Sequence, residues 1–252
     1  MKSLAVYNIK GGVGKTSTAV NLAYLAARDG HRTLLWDLDP QAAATYVFRV
    51  KPRVKGGGER IVANRKPVEA AIKGTDFEGL DLLPADFTYR HMDLMLDATK
   101  RPTERLHRIL EPLAGDYDLV VLDCPPSVSL VSENVLRAAD ILLSPLIPTT
   151  LSVRTLDQLT EFVHSVRHRP RLLGFFSMVD RRKRLHRDLV DQLPKERDDL
   201  ASTAIPAQSI IEQMAVQRAP VPHFAPQSLA TRCYQQLYPE AMAGRRLDLS
   251  GP

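Results

Sequence analysis

Cysteine is scarce in this 252-residue chain: Cys124 and Cys233 are its whole complement, and their spacing matches neither a metal site nor a redox pair. A disulfide-stapled scaffold is excluded, and so is a thiolate-held cluster. Two free thiols in a reducing compartment fit instead. No apolar run approaches the roughly 20 residues of a membrane span. The stretch ahead of position 10 is a short strand, too short for a signal peptide. Residues 243–252 are polar and end in breakers, so an amphipathic membrane-targeting helix is not expected there. Internal repeats and low-complexity tracts are also missing. The charge excess is mild, +5 from 34 Lys+Arg against 29 Asp+Glu, which permits an anionic partner without demanding one.

What is present is a regular alternation. Short apolar runs at Leu4–Ile9, Thr33–Trp36, Leu80–Leu83, Tyr117–Leu122, Ile141–Ser144 and Leu172–Met178 read as buried strands. Helical spacing is seen over Thr16–Asp29, about 88–98, 103–114, Leu151–Val166, 184–193 and 228–243. Strands separated by helices throughout predict one α/β domain over 1–252, with a doubly wound, mostly parallel sheet flanked by helices. Residues 51–67, with Lys51, Arg53, Lys55 and three successive glycines, break the pattern and read as a basic, mobile surface loop.

Three clusters carry chemistry. The first is Lys10-Gly11-Gly12-Val13-Gly14-Lys15-Thr16, followed by Ser17, between a strand and a helix. Glycines let backbone N–H groups converge on phosphate, and the helix start adds its positive end. Lys15 can bridge the β- and γ-phosphates, and the Thr16 hydroxyl can ligate Mg²⁺. The ordinary phosphate-loop pattern puts a glycine where Ile9 stands and asks for no lysine at position 10. The second cluster is the apolar run Leu119–Leu122 ending in Asp123, placed to hold Mg²⁺ through a water beside the loop. The third is Asp37-Leu38-Asp39-Pro40-Gln41. Acids two apart on extended chain face the same way, toward the magnesium shell and the attacking water. A helix cap at Asp39 with Pro40 in the first turn is an alternative that can hold alongside.

These motifs, with Val121-Leu122-Asp123-Cys124-Pro125-Pro126-Ser127, Pro145–Ser152, Met178–Arg182, Ile205-Pro206 and Ala219-Pro220-Val221, resemble the ParA/MinD-type ATPases, the deviant Walker A group of P-loop NTPases. The likeness spans nearly the whole chain and is nearest the ParA branch. It implies ATP and Mg²⁺ as cofactors and a homodimer with ATP sandwiched between subunits. Lys10 would reach phosphates bound by the other subunit, Asp39 would position the hydrolytic water, and Asp37 would stand near the magnesium shell. Met178, Asp180 and Pro220 would lie in adenine-binding walls. The resemblance further implies binding to non-specific DNA in the ATP state and a ParB-like or cargo-adaptor partner that stimulates hydrolysis. A cytoplasmic, nucleoid-associated protein without stable membrane association follows. No helix-turn-helix stretch precedes the phosphate loop, which resembles the short members of the group.

The resemblance places the DNA face in the basic stretch Arg181, Arg182, Lys183, Arg184, His186 and Arg187, with Arg232, Arg245 and Arg246 in or near the last helix. Clustered cations suffice for phosphate neutralisation. A solvated helix face is the alternative. Arg53, Lys55 and Arg60 are further contributors. Two other functions share this fold: a membrane-associated MinD-like switch, and a small-molecule ligase of the dethiobiotin-synthetase or cobyrinate-amidase type.

Overall fold

The computed structural model describes residues 1–243 apart from 64, 66, 167 and 168. Seven strands form one sheet in the order β3-β4-β2-β5-β1-β6-β7: β1 Lys2–Val6, β2 Thr33–Asp37, β3 Lys73–Gly74, β4 Leu80–Leu83, β5 Leu119–Asp123, β6 Ile141–Leu146 and β7 Arg171–Phe176. All neighbours are parallel except the two-residue edge strand β3. The expected doubly wound α/β architecture is therefore the one observed. Both sheet faces are covered, so β2 and β5 are buried at every position, as their continuous apolar runs require.

The helices of nine or more residues are α1 Lys15–Arg28, α2 Leu130–Ala138, α3 Thr150–Ser165, α4 Arg184–Glu196 and α5 Leu229–Met242. The helices expected over 88–98 and 103–114 are broken into shorter pieces. Phe87–His91 and Glu111–Gly115 wind as tighter 3₁₀ turns around six-residue helices Met92–Asp97 and Arg105–Leu110. Pro112, without an N–H, interrupts the hydrogen-bond ladder of the second. The described part of the 51–67 segment is partly ordered. It contains a short helix, Glu59–Val62, and Val54, Ile61 and Val62 are no more than 2 % exposed.

The sheet positions the site. β1 lies between β5 and β6, where the chain reverses direction across the sheet, and that switch point opens a crevice at the carboxyl edge. Tyr7 N–H donates to the Leu143 carbonyl. In a parallel ladder the return bond would come from position 145, and Pro145 has no N–H to give. The β1–β6 ladder stops there, and the chain leaves the sheet as the glycine loop.

Candidate nucleotide site

The loop is set by a side chain that takes over where the ladder ends. Buried Asn8 donates from Nδ2 to the Pro145 carbonyl (2.9 Å) and to Ser144 Oγ (3.2 Å). Its Oδ1 accepts from the Lys10 N–H at 2.8 Å. The Lys10 carbonyl in turn accepts from Lys15 Nζ at 2.8 Å. The Lys10 backbone is thus held on both sides, while its ammonium meets no partner among the described residues. Replacing Asn8 by Ala strands the Lys10 N–H and the Pro145 carbonyl; a loss of about 1–3 kcal/mol in thermal or urea unfolding is expected.

Gly14 sits at φ +91°, and a Cβ there would fall 2.9 Å from Ser177 Oγ, so only glycine lets the loop close against the end of β7. Val13 is buried, whereas Gly11 and Gly12 are open to solvent. Lys15 is buried at the first position of α1, and burial pulls its pKa down, opposed by the charges of Asp123, Cys124 and Asp39.

Two carboxylates stand side by side at the strand ends, since Asp37 and Asp123 are register partners of β2 and β5. Asp37 is well served: Oδ2 accepts from the Thr45 N–H (2.8 Å) and Oγ1 (2.7 Å), and Oδ1 from the Asp39 N–H (3.2 Å). Burial still pushes it up to about 6. Asp123 is wholly buried, and neither oxygen has a hydrogen-bond partner. Burial first, and then the charge of Asp37, push it well above the usual carboxylate range; the nearby Thr16 hydroxyl and Lys15 oppose this. An orphaned buried carboxylate facing a phosphate loop suits a divalent cation that keeps waters and phosphates as its other ligands. No cluster of three or more His, Cys, Asp or Glu among the described residues forms an all-protein metal cage.

A cavity of about 340 Å³ lies against the loop, lined by Gly11, Gly12, Gly14, Lys15, Thr16, Ser17, Asp39 and Met178. Asp39 Oδ1 accepts from the Gln41 N–H (2.9 Å), which makes a local turn and not a helix cap; the next helix starts at Ala43. Met178 adopts a left-handed backbone, φ +55°. Pro126, Ser177, Ile205, Pro206, Ile211, Glu212 and Tyr234 complete the wall. Asp180 and Pro220 do not line this cavity. The Asp180 carboxylate is held by the Arg182 guanidinium (2.9 Å), far below its usual range, and Pro220 is buried beside the Val221 N–H bond to Asn21 Oδ1 (2.8 Å). A larger groove of about 660 Å³ runs along α5 and includes Arg181 and Cys233; no part of the phosphate loop reaches it.

Much of the basic stretch is matched within the chain, although exposed Lys183 has no carboxylate partner among the described residues. Arg181 pairs with Asp191 (3.4 Å), Arg182 with Asp180 and Arg184 with Asp188 (3.5 Å), while Arg187 donates to the carbonyls of Arg181 and Arg182. Arg232 on α5 is exposed and donates to the Gln227 carbonyl. Arg245 and Arg246 lie outside the described residues, as do nearly all of the polar terminal residues 243–252.

A parallel sheet whose central strand feeds a Gly-Lys-Thr loop, with acids at the two strand ends on one side, defines a P-loop nucleotide-binding protein. An AAA-domain family model matches residues 1–173. The chain is 32% identical over 252 residues to the sporulation initiation inhibitor protein Soj of Bacillus subtilis, covering 96% of this chain and 98% of that one. It is 31% identical over 251 residues to a ParA family protein of Chlamydia muridarum, with the same two coverages, 96% and 98%. The structure of a cobyrinic acid a,c-diamide synthase from Mycobacterium smegmatis, with bound ADP and magnesium, superposes with a TM-score of 0.80 at 28% identity, covering 97% of this chain and 96% of that one. The chain belongs to the ParA family of P-loop ATPases. No helix among the described residues is long and apolar enough to cross a membrane.

Proposed function

We propose that this chain is an ATP-driven dimerisation switch that binds DNA without sequence preference in its ATP state and hydrolyses ATP to segregate or position a cargo. The observation that carries this reading is Lys10, whose backbone is clamped by Asn8 and Lys15 while its ammonium has no partner among the described residues. A cation fixed at its root and free at its tip suits phosphates held outside its own loop. Gly11, Gly12 and Gly14 would cradle the phosphates, and Lys15 would leave the Lys10 carbonyl to meet them. Thr16, Asp123 and Asp37 would hold the magnesium, which neutralises charge building on the phosphates. Asp39, at the cavity wall, would orient the attacking water. Met178 and its neighbours Ile205 and Pro206 would receive the base. Homodimerisation, a ParB-like or adaptor partner that stimulates hydrolysis, and a cytoplasmic, nucleoid-associated location belong to the same proposal.

The test is DNA co-sedimentation with ATP, with ADP and without nucleotide, alongside Asp39→Ala. The wild type is expected to sediment with DNA only in ATP. Asp39→Ala should bind ATP, hydrolyse it at least about 100-fold more slowly, and stay on DNA. Equal sedimentation in all three nucleotide states overturns the switch. The likeness to a diamide synthase favours a second reading, ATP-dependent amidation. ATP turnover that requires glutamine or ammonia, and is indifferent to DNA and to partner protein, would establish it.

A further inference from the structure

We propose that the Gly-rich segment 51–60, with the turn 86–91 that supports it, is a docking surface for the sugar-phosphate backbone of nucleic acid. This rests on the DNA-binding reading above and assigns it to a different surface from the arginine-rich start of α4. The contrast between the two basic regions carries the argument. At α4, three arginines already face carboxylates of their own chain: Asp191, Asp180 and Asp188. A polyanion reaching those three must displace intramolecular partners; Lys183 and Arg187 beside them have no carboxylate partner among the described residues. In the 51–60 segment, Lys51, Arg53 and Arg60 are exposed, and none has a carboxylate partner among the described residues. Unmatched cations retain their full gain from releasing counterions of DNA.

The segment is built rather than merely basic. Asp86 holds it from below: Oδ2 accepts from the Val54 N–H at 2.8 Å, and Oδ1 accepts from both the N–H and the hydroxyl of Thr88. The Gly58 N–H donates to Thr88 Oγ1 at 3.2 Å. A Cβ at Gly58 would fall 2.1 Å from the Tyr89 ring, so glycine is required for this close approach. Gly56 and Gly57 both take positive φ, +89° and +85°, which folds the backbone into a tight bend with Arg53 and Arg60 on either side. With its apolar anchors Val54, Ile61 and Val62 buried, the bend presents its cations from a fixed base.

The supporting turn adds a second feature suited to nucleic acid. Phe87 is 64% exposed, and the Arg90 guanidinium lies 4.1 Å from its ring centroid. A cation stacked on an exposed ring offers both a phosphate contact and a face for a sugar or base. The surface also touches the nucleotide site through a short hydrogen-bonded chain. Thr45 Oγ1 donates to Asp37 and accepts from the Ala85 N–H (2.9 Å), and Asp86 is the next residue.

Fluorescence anisotropy of a short labelled duplex of random sequence, titrated in ATP at several salt concentrations, tests the assignment. Arg53→Gln/Arg60→Gln should weaken binding about ten-fold or more and make the salt slope shallower by about 2, one unit per lost phosphate contact. Arg184→Gln/Arg187→Gln should change the slope less. Both variants should keep wild-type ATP-analogue affinity and melting temperature, since neither pair lines the nucleotide cavity. A wild-type slope in the 53/60 variant, with the loss seen in the 184/187 variant, overturns the proposal and leaves the DNA-binding switch standing. A wild type that ignores DNA, or that binds only anionic vesicles, overturns both.

Discussion

Asp123→Asn is expected to make the nucleotide-free protein more stable while abolishing its response to Mg²⁺. In the folded chain, two carboxyls lie in register at the ends of β2 and β5, one of them wholly buried and without a hydrogen-bond partner. Burial raises both above the usual carboxylate range, Asp37 from 3.8 to about 6. A raised folded pKa means the folded state binds the proton more tightly than the unfolded state. The pair therefore costs nothing below about pH 4, begins to cost as pH climbs from about 4 to about 6, and stays unfavourable at neutral pH. For Asp37 alone, a rise from 3.8 to about 6 is worth on the order of 3 kcal/mol at neutral pH. The amide introduced in place of the carboxylate keeps unpaired polar atoms, so a net gain of about 1–2 kcal/mol, or roughly 2–8 °C in melting temperature, is expected at pH 7.5. The gain should shrink as the pH is lowered toward 4. In the wild type, Mg²⁺ with ATP should raise the melting temperature by relieving the same charge, and in the variant this increment should vanish together with hydrolysis. Differential scanning fluorimetry across pH, with and without Mg²⁺–ATP, reads all of this. A variant less stable than wild type at pH 7.5 would show that Asp123 serves structure and not a cation.

That strain has a local origin, which is why the acids were legible in the sequence. A glycine loop between strand and helix, and an acid ending an apolar strand, are each defined within a dozen neighbouring residues. The walls of the cavity were not legible in the same way. Ser177 meets Gly14 because β7 lies two strands from β1, and Asn8 reaches Ser144 and Pro145 across 136 and 137 positions of chain. No local pattern encodes such meetings. A signal for Asn8 did exist: a polar residue closing an apolar strand just ahead of the loop. The pairing of Arg184 with Asp188 was also written in the sequence, as i,i+4 spacing on a helix. The segment 51–67 looked loose because glycine and proline erase periodicity. Its three buried anchors, Val54, Ile61 and Val62, are too unevenly spaced to register as a face. Asp180 stands apart from these. Its place in a wall is implied by resemblance, and in the structure Arg182, two positions on, pairs with its carboxylate.

Lys10→Ala should separate nucleotide binding from everything that depends on a second subunit. The substitution removes only the ammonium, because Lys10 contributes to its own loop through the backbone: the N–H to Asn8 and the carbonyl to Lys15 Nζ, both at 2.8 Å. Alanine preserves those two bonds, and position 10 does not line the cavity. Affinity for an ATP analogue should therefore stay within about two- to three-fold of wild type, well under 1 kcal/mol. Under the proposed switch, the missing cation is the one that meets phosphates of the partner subunit, where desolvation at the interface makes each charge contact strong. Dimerisation in a non-hydrolysable analogue should be lost in sedimentation velocity, and single-turnover hydrolysis should fall by about 10²–10³-fold, as when a preorganised charge aimed at the transferring phosphate is withdrawn. DNA affinity should drop as well, since a monomer offers half the basic surface and the exponent in salt follows the number of phosphates covered. The decisive comparison is with Lys15→Ala, which removes the cation that serves the loop's own nucleotide and should abolish ATP binding first. If Lys10→Ala instead loses ATP affinity as Lys15→Ala does, both lysines act within one subunit. The deviant loop would then be an ordinary phosphate cradle with a second internal cation.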